Sequence, residues 1–157
     1  MDANPVNTYE YEDIAKGIMV GEDGRQAADH GASGMIVSNH GARYLDTTLA
    51  TIEALPEVVE AVAGQAEGYM DGGMRRGADV SKALALGAWV VLIGRPVFWG
   101  LAVEGETGVR MVLEMLRDEL DATMGMCGRT TVASVDRDCL VGVSPLVALL
   151  PQVAPFR

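Results

Sequence analysis

Gly34-Met35-Ile36-Val37-Ser38-Asn39-His40-Gly41-Ala42-Arg43 is the stretch that decides the fold of this chain. Its first half is a short apolar run with β-branched residues, which predicts a buried strand. Its second half is polar and contains glycine, and such residues cannot continue a buried strand without hydrogen-bond partners. A strand that presents His40 and Arg43 at its carboxyl end is typical of the chemical edge of an α/β barrel.

The pattern on both sides of this stretch alternates between helices and strands. We predict strands over 35–38, 68–70 and 89–93, and the last of these, Trp89–Ile93, is the clearest buried strand. Helices are predicted over 21–28, 49–62, 78–86 and 106–126, with a further short helix over 9–16. Strands that alternate with helices imply parallel βαβ units with right-handed crossovers. We therefore expect an α/β fold that is part of a barrel.

Length and charge restrict the possible functions. The chain has 157 residues, a formal net charge of −10 and a hydrophobic fraction of 49%. This composition is globular, but the length is short of the roughly 250 residues of a complete (β/α)₈ barrel. The negative charge argues against nucleic acid as a partner, because phosphate backbones are bound by clustered Lys and Arg.

The lack of recognisable targeting and membrane-spanning segments predicts an intracellular protein with no membrane partner. No apolar run approaches the ~18 residues of a membrane span, and the N-terminus does not resemble a signal peptide. The C-terminal Pro155-Phe156-Arg157 differs from the Ser-Lys-Leu type of peroxisomal signal. No metal site is predicted, because the cysteines and histidines lack zinc-ligand spacing.

His40 and Arg43 are the first candidate pair for chemistry. An imidazole can take a proton near neutral pH, and a guanidinium can hold a carboxylate through two hydrogen bonds. Three-residue spacing alone does not establish this pairing. A loop histidine beside a surface arginine would produce the same pattern.

Two glycine turns form the second candidate. Asp71-Gly72-Gly73-Met74-Arg75 and Gly94-Arg95 each follow a predicted strand. Glycine leaves backbone N–H groups open to an approaching phosphate, and barrels often bind phosphate at two successive turns of this kind. The alternative is a pair of ordinary turns in which each arginine only caps a helix.

These motifs together resemble the FMN-dependent 2-hydroxyacid oxidase and dehydrogenase family, which includes glycolate oxidase. The resemblance runs from residue 16 to about residue 140, and it is carried by Ser38–Asp46, Asp71–Val80, Lys82–Ala88, Ile93–Pro96, Trp99–Ala102 and Leu116–Leu120. The family fold is a (β/α)₈ TIM barrel with FMN at the carboxyl ends of the strands. The resemblance therefore implies that this chain is the C-terminal half of such a barrel.

The resemblance also implies roles for individual residues. His40 looks like the catalytic base, Arg43 like the clamp on the substrate carboxylate, and Lys16 like the lysine beside the flavin. Ser38 would line the flavin. The phosphate of FMN would be held by the two turns, at Asp71, Gly72, Gly73, Arg75, Gly94 and Arg95.

The chain departs from the family pattern before Lys16, where the first half of the barrel is missing. Residues 1–15 resemble the extreme N-terminus of the family, joined directly to its second half at 16–140, with a tail at 141–157. We interpret this as an internally deleted, truncated form. Its open edges and uncovered apolar interior predict self-association or a homo-oligomer.

The implied function is FMN-dependent oxidation of a small (S)-2-hydroxyacid, of the glycolate or lactate type, to the 2-oxoacid. The location implied is cytoplasmic or peroxisomal. The alternative is a non-catalytic remnant of the family that binds FMN or phosphate without turnover.

Overall fold

The computed structural model describes residues 13–141 and shows a parallel four-stranded sheet with a helix after each strand. The strands are β1 (Ile14–Ile18), β2 (Gly34–Val37), β3 (Glu67–Asp71) and β4 (Val90–Leu92). The helices are α1 (Gly21–Asp29), α2 (Thr51–Val62), α3 (Gly77–Ala85) and α4 (Arg95–Met126). Short 3₁₀ turns lie at His40–Ala42, Val132–Ser134 and Arg137–Cys139.

The strand order is that of a barrel segment. Each strand pairs in parallel with the next one along the chain, so the order is β1-β2-β3-β4. Right-handed crossovers that always step in one direction place the helices on one face of the sheet. A doubly wound sheet would instead reverse its order at a switch point. The predicted α/β half barrel is confirmed.

The core lies between the helices and one face of the sheet. Met35 and Val37 of β2 and Met70 of β3 are fully buried against α2. From α2 the buried residues are Ala54, Leu55, Val58, Val59 and Val62. Burial of each large apolar side chain contributes about 1.5–3 kcal/mol, so this layer holds the strands in position.

Strand β1 corrects the prediction of a short helix over 9–16. Residues 14–18 are extended and pair with β2, with Lys16 opposite Ile36. Pairing with a neighbouring strand overrides the weak local pattern, since strand formation depends on tertiary context. Residues 9–12 of that predicted helix lie outside the described residues. β1 also runs across the boundary predicted between residues 15 and 16.

Strand β4 corrects the prediction of a buried strand at 89–93. It has only three residues, and the side chains of Val90 and Leu92 are 45% and 40% exposed. Val90 and Leu92 lie on the face of the sheet opposite the helices, and this face has no cover within residues 13–141. Apolar character therefore does not imply burial here.

Helix boundaries also differ from the prediction. α2 begins at Thr51, two residues later than predicted, and continues past the buried Pro56. α4 begins at Arg95 rather than Glu106 and bends at Gly105, whose φ of 55° and ψ of −135° suit glycine. This bend brings Gly100 against Gly108. On the predicted apolar face Leu116 is buried, whereas Leu113 is half exposed.

Glu119 joins α4 to the start of α3. Its carboxylate accepts hydrogen bonds from the Gly77 amide at 2.9 Å and from Arg76 Nη1 at 2.6 Å. The Gly77 amide and then the Arg76 guanidinium hold the pKa of Glu119 below its ordinary value of 4.5. These bonds fix α4 beside the turn that precedes α3.

We expect this contact to make stability depend on pH in acid. A lowered folded-state pKa stabilises the fold above pH 4.5, and the contribution is lost as pH falls through the folded value. Glu119→Gln should therefore be less stable than the wild type at pH 7, and the difference should narrow below pH 4.5. Urea unfolding at several pH values measures this, with the exposed Glu114→Gln as control. A pH-independent difference for Glu119→Gln would contradict the prediction.

The close approach at Gly108 leads to a second prediction. A Cβ at residue 108 would overlap the carbonyl oxygen of Gly100, whereas a Cβ at Gly125 would meet no atom within 4 Å. Gly108→Ala should cost about 1–3 kcal/mol of unfolding free energy through overpacking. Gly125→Ala, in the same helix, should be neutral or stabilise by about 0.5–1 kcal/mol. Equal midpoints of the two variants in denaturant would show that the bend is not closely packed.

Candidate active site

A cavity of about 450 Å³ lies at the carboxyl end of the sheet. This volume is within the roughly 300–1,000 Å³ range of small-molecule sites. All four strand ends contribute to it. Nine of the ten predicted site residues line the cavity: Lys16, His40, Arg43, Asp71, Gly72, Gly73, Arg75, Gly94 and Arg95.

Ser38, the tenth predicted residue, lies beneath the cavity. Its side chain is buried, and its Oγ accepts hydrogen bonds from Lys16 Nζ and from the His40 amide, each at 3.2 Å. One hydroxyl therefore holds the lysine of β1 and the start of the His40 loop together. Ser38 acts on the cavity through these two residues.

Lys16 and Asp71 form an ion pair across the floor of the cavity. Lys16 Nζ contacts Asp71 Oδ2, so the pair links β1 to β3 over β2. The Lys16 side chain is 42% exposed, and solvent screens such a pair. The pair positions the ammonium group in the cavity more than it stabilises the fold.

Asp71 carries one buried oxygen with no hydrogen-bond partner among the described residues, Oδ1. Its backbone carbonyl is satisfied by Thr51 Oγ1 at 2.6 Å. Leaving a buried acceptor unpaired costs about 1–3 kcal/mol, and unpaired groups of this kind are rare in folded proteins. Asp71 Oδ1 is therefore available to a hydroxyl donor of a ligand.

The loop after β2 holds His40 in an uncommon backbone conformation. His40 and Ala42 have φ values of 54° and 56°, in the left-handed region. Asn39 supports the loop, since its Oδ1 accepts from the Ala42 amide at 3.2 Å and its Nδ2 donates to Leu49 O at 3.1 Å. Strain of this kind clusters at functional sites.

His40 and Arg43 face the same cavity. Arg43 Nε donates to the His40 carbonyl at 3.2 Å, which orients the guanidinium. The His40 ring packs edge-on to Tyr44 with 5.4 Å between centroids, and its Cε1 would lie 3.3 Å from a Cβ at position 17. Gly17 therefore leaves room for the imidazole.

The two glycine turns are open, as a ligand cradle requires. No atom lies within 4 Å of a Cβ built at Gly73 or Gly94. Arg75 reaches over the Trp99 ring at 5.9 Å, and Arg95 Nη2 would lie 3.5 Å from a Cβ at Gly41. The turns therefore present open backbone and two guanidinium groups to one space.

Electrostatics make this cavity a positive region on an acidic protein. Four cations, Lys16, Arg43, Arg75 and Arg95, line it against the single carboxylate of Asp71. The chain as a whole carries −10. A cavity with concentrated charge of one sign attracts ligands of the opposite sign, so this site favours anions such as phosphate and carboxylate.

The sequence analysis did not assign two aromatic residues of the cavity. Phe98 and Trp99 line it from the first turns of α4. The predicted helix began only at Glu106, so these residues had no assigned element. Their position directly after Gly94-Arg95 was the available signal.

An adjoining cavity of about 360 Å³ lies on the other side of the Gly72-Gly73 turn. Arg95 lines both cavities, and Lys82 of α3 lines the second one together with Asp79, its ion-pair partner at 3.8 Å. Sequence analysis did not identify Lys82 as a site residue.

Comparison with known proteins places these features in a family. A family profile described as FMN-dependent dehydrogenase matches residues 7–142. The chain is 53% identical over 133 residues to 2-hydroxyacid oxidase 1 of Homo sapiens, covering 85% of this chain and 36% of that protein. It is 52% identical over 139 residues to glycolate oxidase 5 of Oryza sativa subsp. japonica, covering 88% and 38%.

Solved structures give the same result for the fold. Mandelate oxidase in complex with (S)-2-phenylpropionate superposes with a TM-score of 0.76 at 51% identity, covering 79% of this chain and 37% of that one. The chain thus spans little more than a third of the length of the relatives it matches. No described helix is long and apolar enough to cross a membrane.

The cation cluster predicts that inorganic phosphate stabilises the fold. At ten times its dissociation constant, a ligand bound only to the native state adds about 1.4 kcal/mol. Arg95→Gln should abolish most of this gain, while Arg110→Gln, an exposed cation of α4 outside both cavities, should retain it. Thermal unfolding with and without phosphate measures both. Equal stabilisation of the two variants would place the bound anion elsewhere.

Proposed function

The chain belongs to the FMN-dependent dehydrogenase family, and on that premise we propose that it binds FMN and oxidises a small (S)-2-hydroxyacid to the 2-oxoacid. The single observation that carries this proposal is the convergence of the His40 imidazole, the Arg43 guanidinium and two glycine turns on one cavity. The names of the relatives, 2-hydroxyacid oxidase and glycolate oxidase, support a 2-hydroxyacid such as glycolate as the substrate.

The cavity suits FMN on three counts. Arg75 and Arg95, beside the open backbone of Gly73 and Gly94, would hold the phosphate, with Gly72 completing the turn. Asp71 Oδ1 offers an unpaired acceptor for a ribityl hydroxyl. Lys16 would lie along the flavin, and the buried Ser38 would hold its ammonium group in place by accepting a hydrogen bond from Lys16 Nζ. When bound, FMN accepts the two electrons of the oxidation.

The residues of this chain supply orientation and proton transfer. Arg43 would bind the substrate carboxylate through two parallel N–H donors, which fixes the C2 end of the substrate. His40 would take up a proton from the 2-hydroxyacid and hold it as imidazolium. The ammonium of Lys16 would stabilise negative charge that develops on the flavin side of the cavity.

The alternative function is a family remnant that binds FMN without turnover. One observation favours it: within residues 13–141, no carboxylate is hydrogen-bonded to the His40 ring. A histidine base that lacks a carboxylate partner is less well oriented for proton transfer. The same chain would then retain only the anion-binding half of the site. A cytoplasmic or peroxisomal location stays a prediction for either function.

Reduction of bound FMN separates the two functions. The chain saturated with FMN should bleach under anaerobic addition of glycolate or lactate, and His40→Gln should slow this by about 10²–10⁴-fold while still binding FMN. His30→Gln, the other histidine, exposed at the end of α1, is the matched control. Bound flavin that is never reduced would support the remnant. Failure to bind FMN would refute both functions.

Arg43→Lys tests the carboxylate clamp. A lysine keeps the charge but loses the two-pronged geometry, so KM for the hydroxyacid should rise by about 10-fold or more with a smaller change in kcat. Arg25→Lys, on the exposed surface of α1, should change neither constant. An unchanged KM in Arg43→Lys would remove Arg43 from the substrate site.

A further inference from the structure

We infer that two copies of this chain associate edge to edge around a two-fold axis and close an eight-stranded barrel. Each copy would supply four consecutive strands. The free edge of β4 in one copy would pair in parallel with the free edge of β1 in the other, and the same junction would form twice. This inference goes beyond the proposed function and does not require bound flavin.

The first observation is a face of the sheet that carries exposed apolar side chains. The face opposite the helices carries alternate strand residues, and the register places Lys16, Ile36, Tyr69 and Val90 in one row across it. Ile14, Val90 and Leu92 on this face are between 40% and 48% exposed. In a closed barrel this face becomes the interior, which is filled by side chains.

The second observation is the state of the two edges. β1 and β4 each have one strand neighbour among the described residues. On β4 the Trp89 amide donates to Gly68 O of β3, so by alternation the peptide groups of Val90 and Leu92 point to the free edge. Segment 89–93 contains no charge and no proline to protect that edge. Such edges pair with other chains unless they are closed.

A second copy fits these edges by strand count and by symmetry. The described unit has four parallel strands in sequence order, which is half of eight, so a two-fold rotation about the barrel axis leaves no strand edge open.

Closure would also complete the candidate site. Lys16 and Asp71 lie on the uncovered face, and the 450 Å³ cavity opens beside them. In the closed dimer the strands of the second copy form the opposite wall. Charge works against this association, because two chains of −10 repel each other. Salt screens that repulsion, so the dimer should tighten as ionic strength rises.

Sedimentation equilibrium of the flavin-free chain tests the inference. The monomer mass is 16.6 kDa, and we expect a species of twice this mass with no larger oligomers. Val90→Lys and Ile14→Lys, one on each edge strand, should each shift the chain to monomer, because each variant blocks both junctions. Val132→Lys, on a 3₁₀ turn far along the chain and 50% exposed, is the matched control and should remain dimeric.

Circular dichroism distinguishes dissociation from unfolding, and the edge variants should keep the helical signal of the wild type. A folded wild-type monomer at all concentrations would overturn the inference. So would a dimer that both edge variants leave intact, or a wild type that forms open polymers. A dimer that fails to bind FMN would contradict the proposed function alone and leave this inference standing.

Discussion

Parallel pairing of four strands in sequence order is the constraint on which the rest of the structure depends. It brings all four carboxyl ends to one edge, so residues far apart in the sequence line one cavity. The ion pair between Lys16 and Asp71 is the clearest consequence, since it spans β1 to β3 across 55 positions of the chain. Without the register of β2 between them, neither the pair nor the cavity would exist.

The site gathers four cations around one carboxylate, an arrangement that the stability of the fold does not require. A cluster of cations on a chain of −10 is an anion site, and a buried acceptor on Asp71 is left without a donor. Together with the strained backbone at His40, these features cost free energy in the described fold. Unfavourable free-energy contributions that are concentrated at one end of a sheet are typical of a ligand-binding site.

The geometry that exposes the site also exposes an apolar face. A half barrel turns its helices outward and leaves the opposite face of the sheet, with Ile14, Val90 and Leu92, without cover in the described residues. In a complete barrel that face is the core. The chain spans little more than a third of its relatives' length. Lys16 and Asp71 lie on this same face and line the cavity, so whatever covers the face also forms a wall of the site.

The sequence by itself determined the α/β class, the alternation of elements and the identity of the residues at the strand ends. Apolar runs, glycine turns and helix signals are local, so β2, β3, α1 and α3 were predicted close to their observed positions. Only the tertiary structure decided that residues 14–18 form a strand, that β4 is exposed and that Phe98 and Trp99 line the cavity. Those outcomes depend on which neighbours pair and which faces are covered, and no local pattern encodes a neighbour that is distant in the chain.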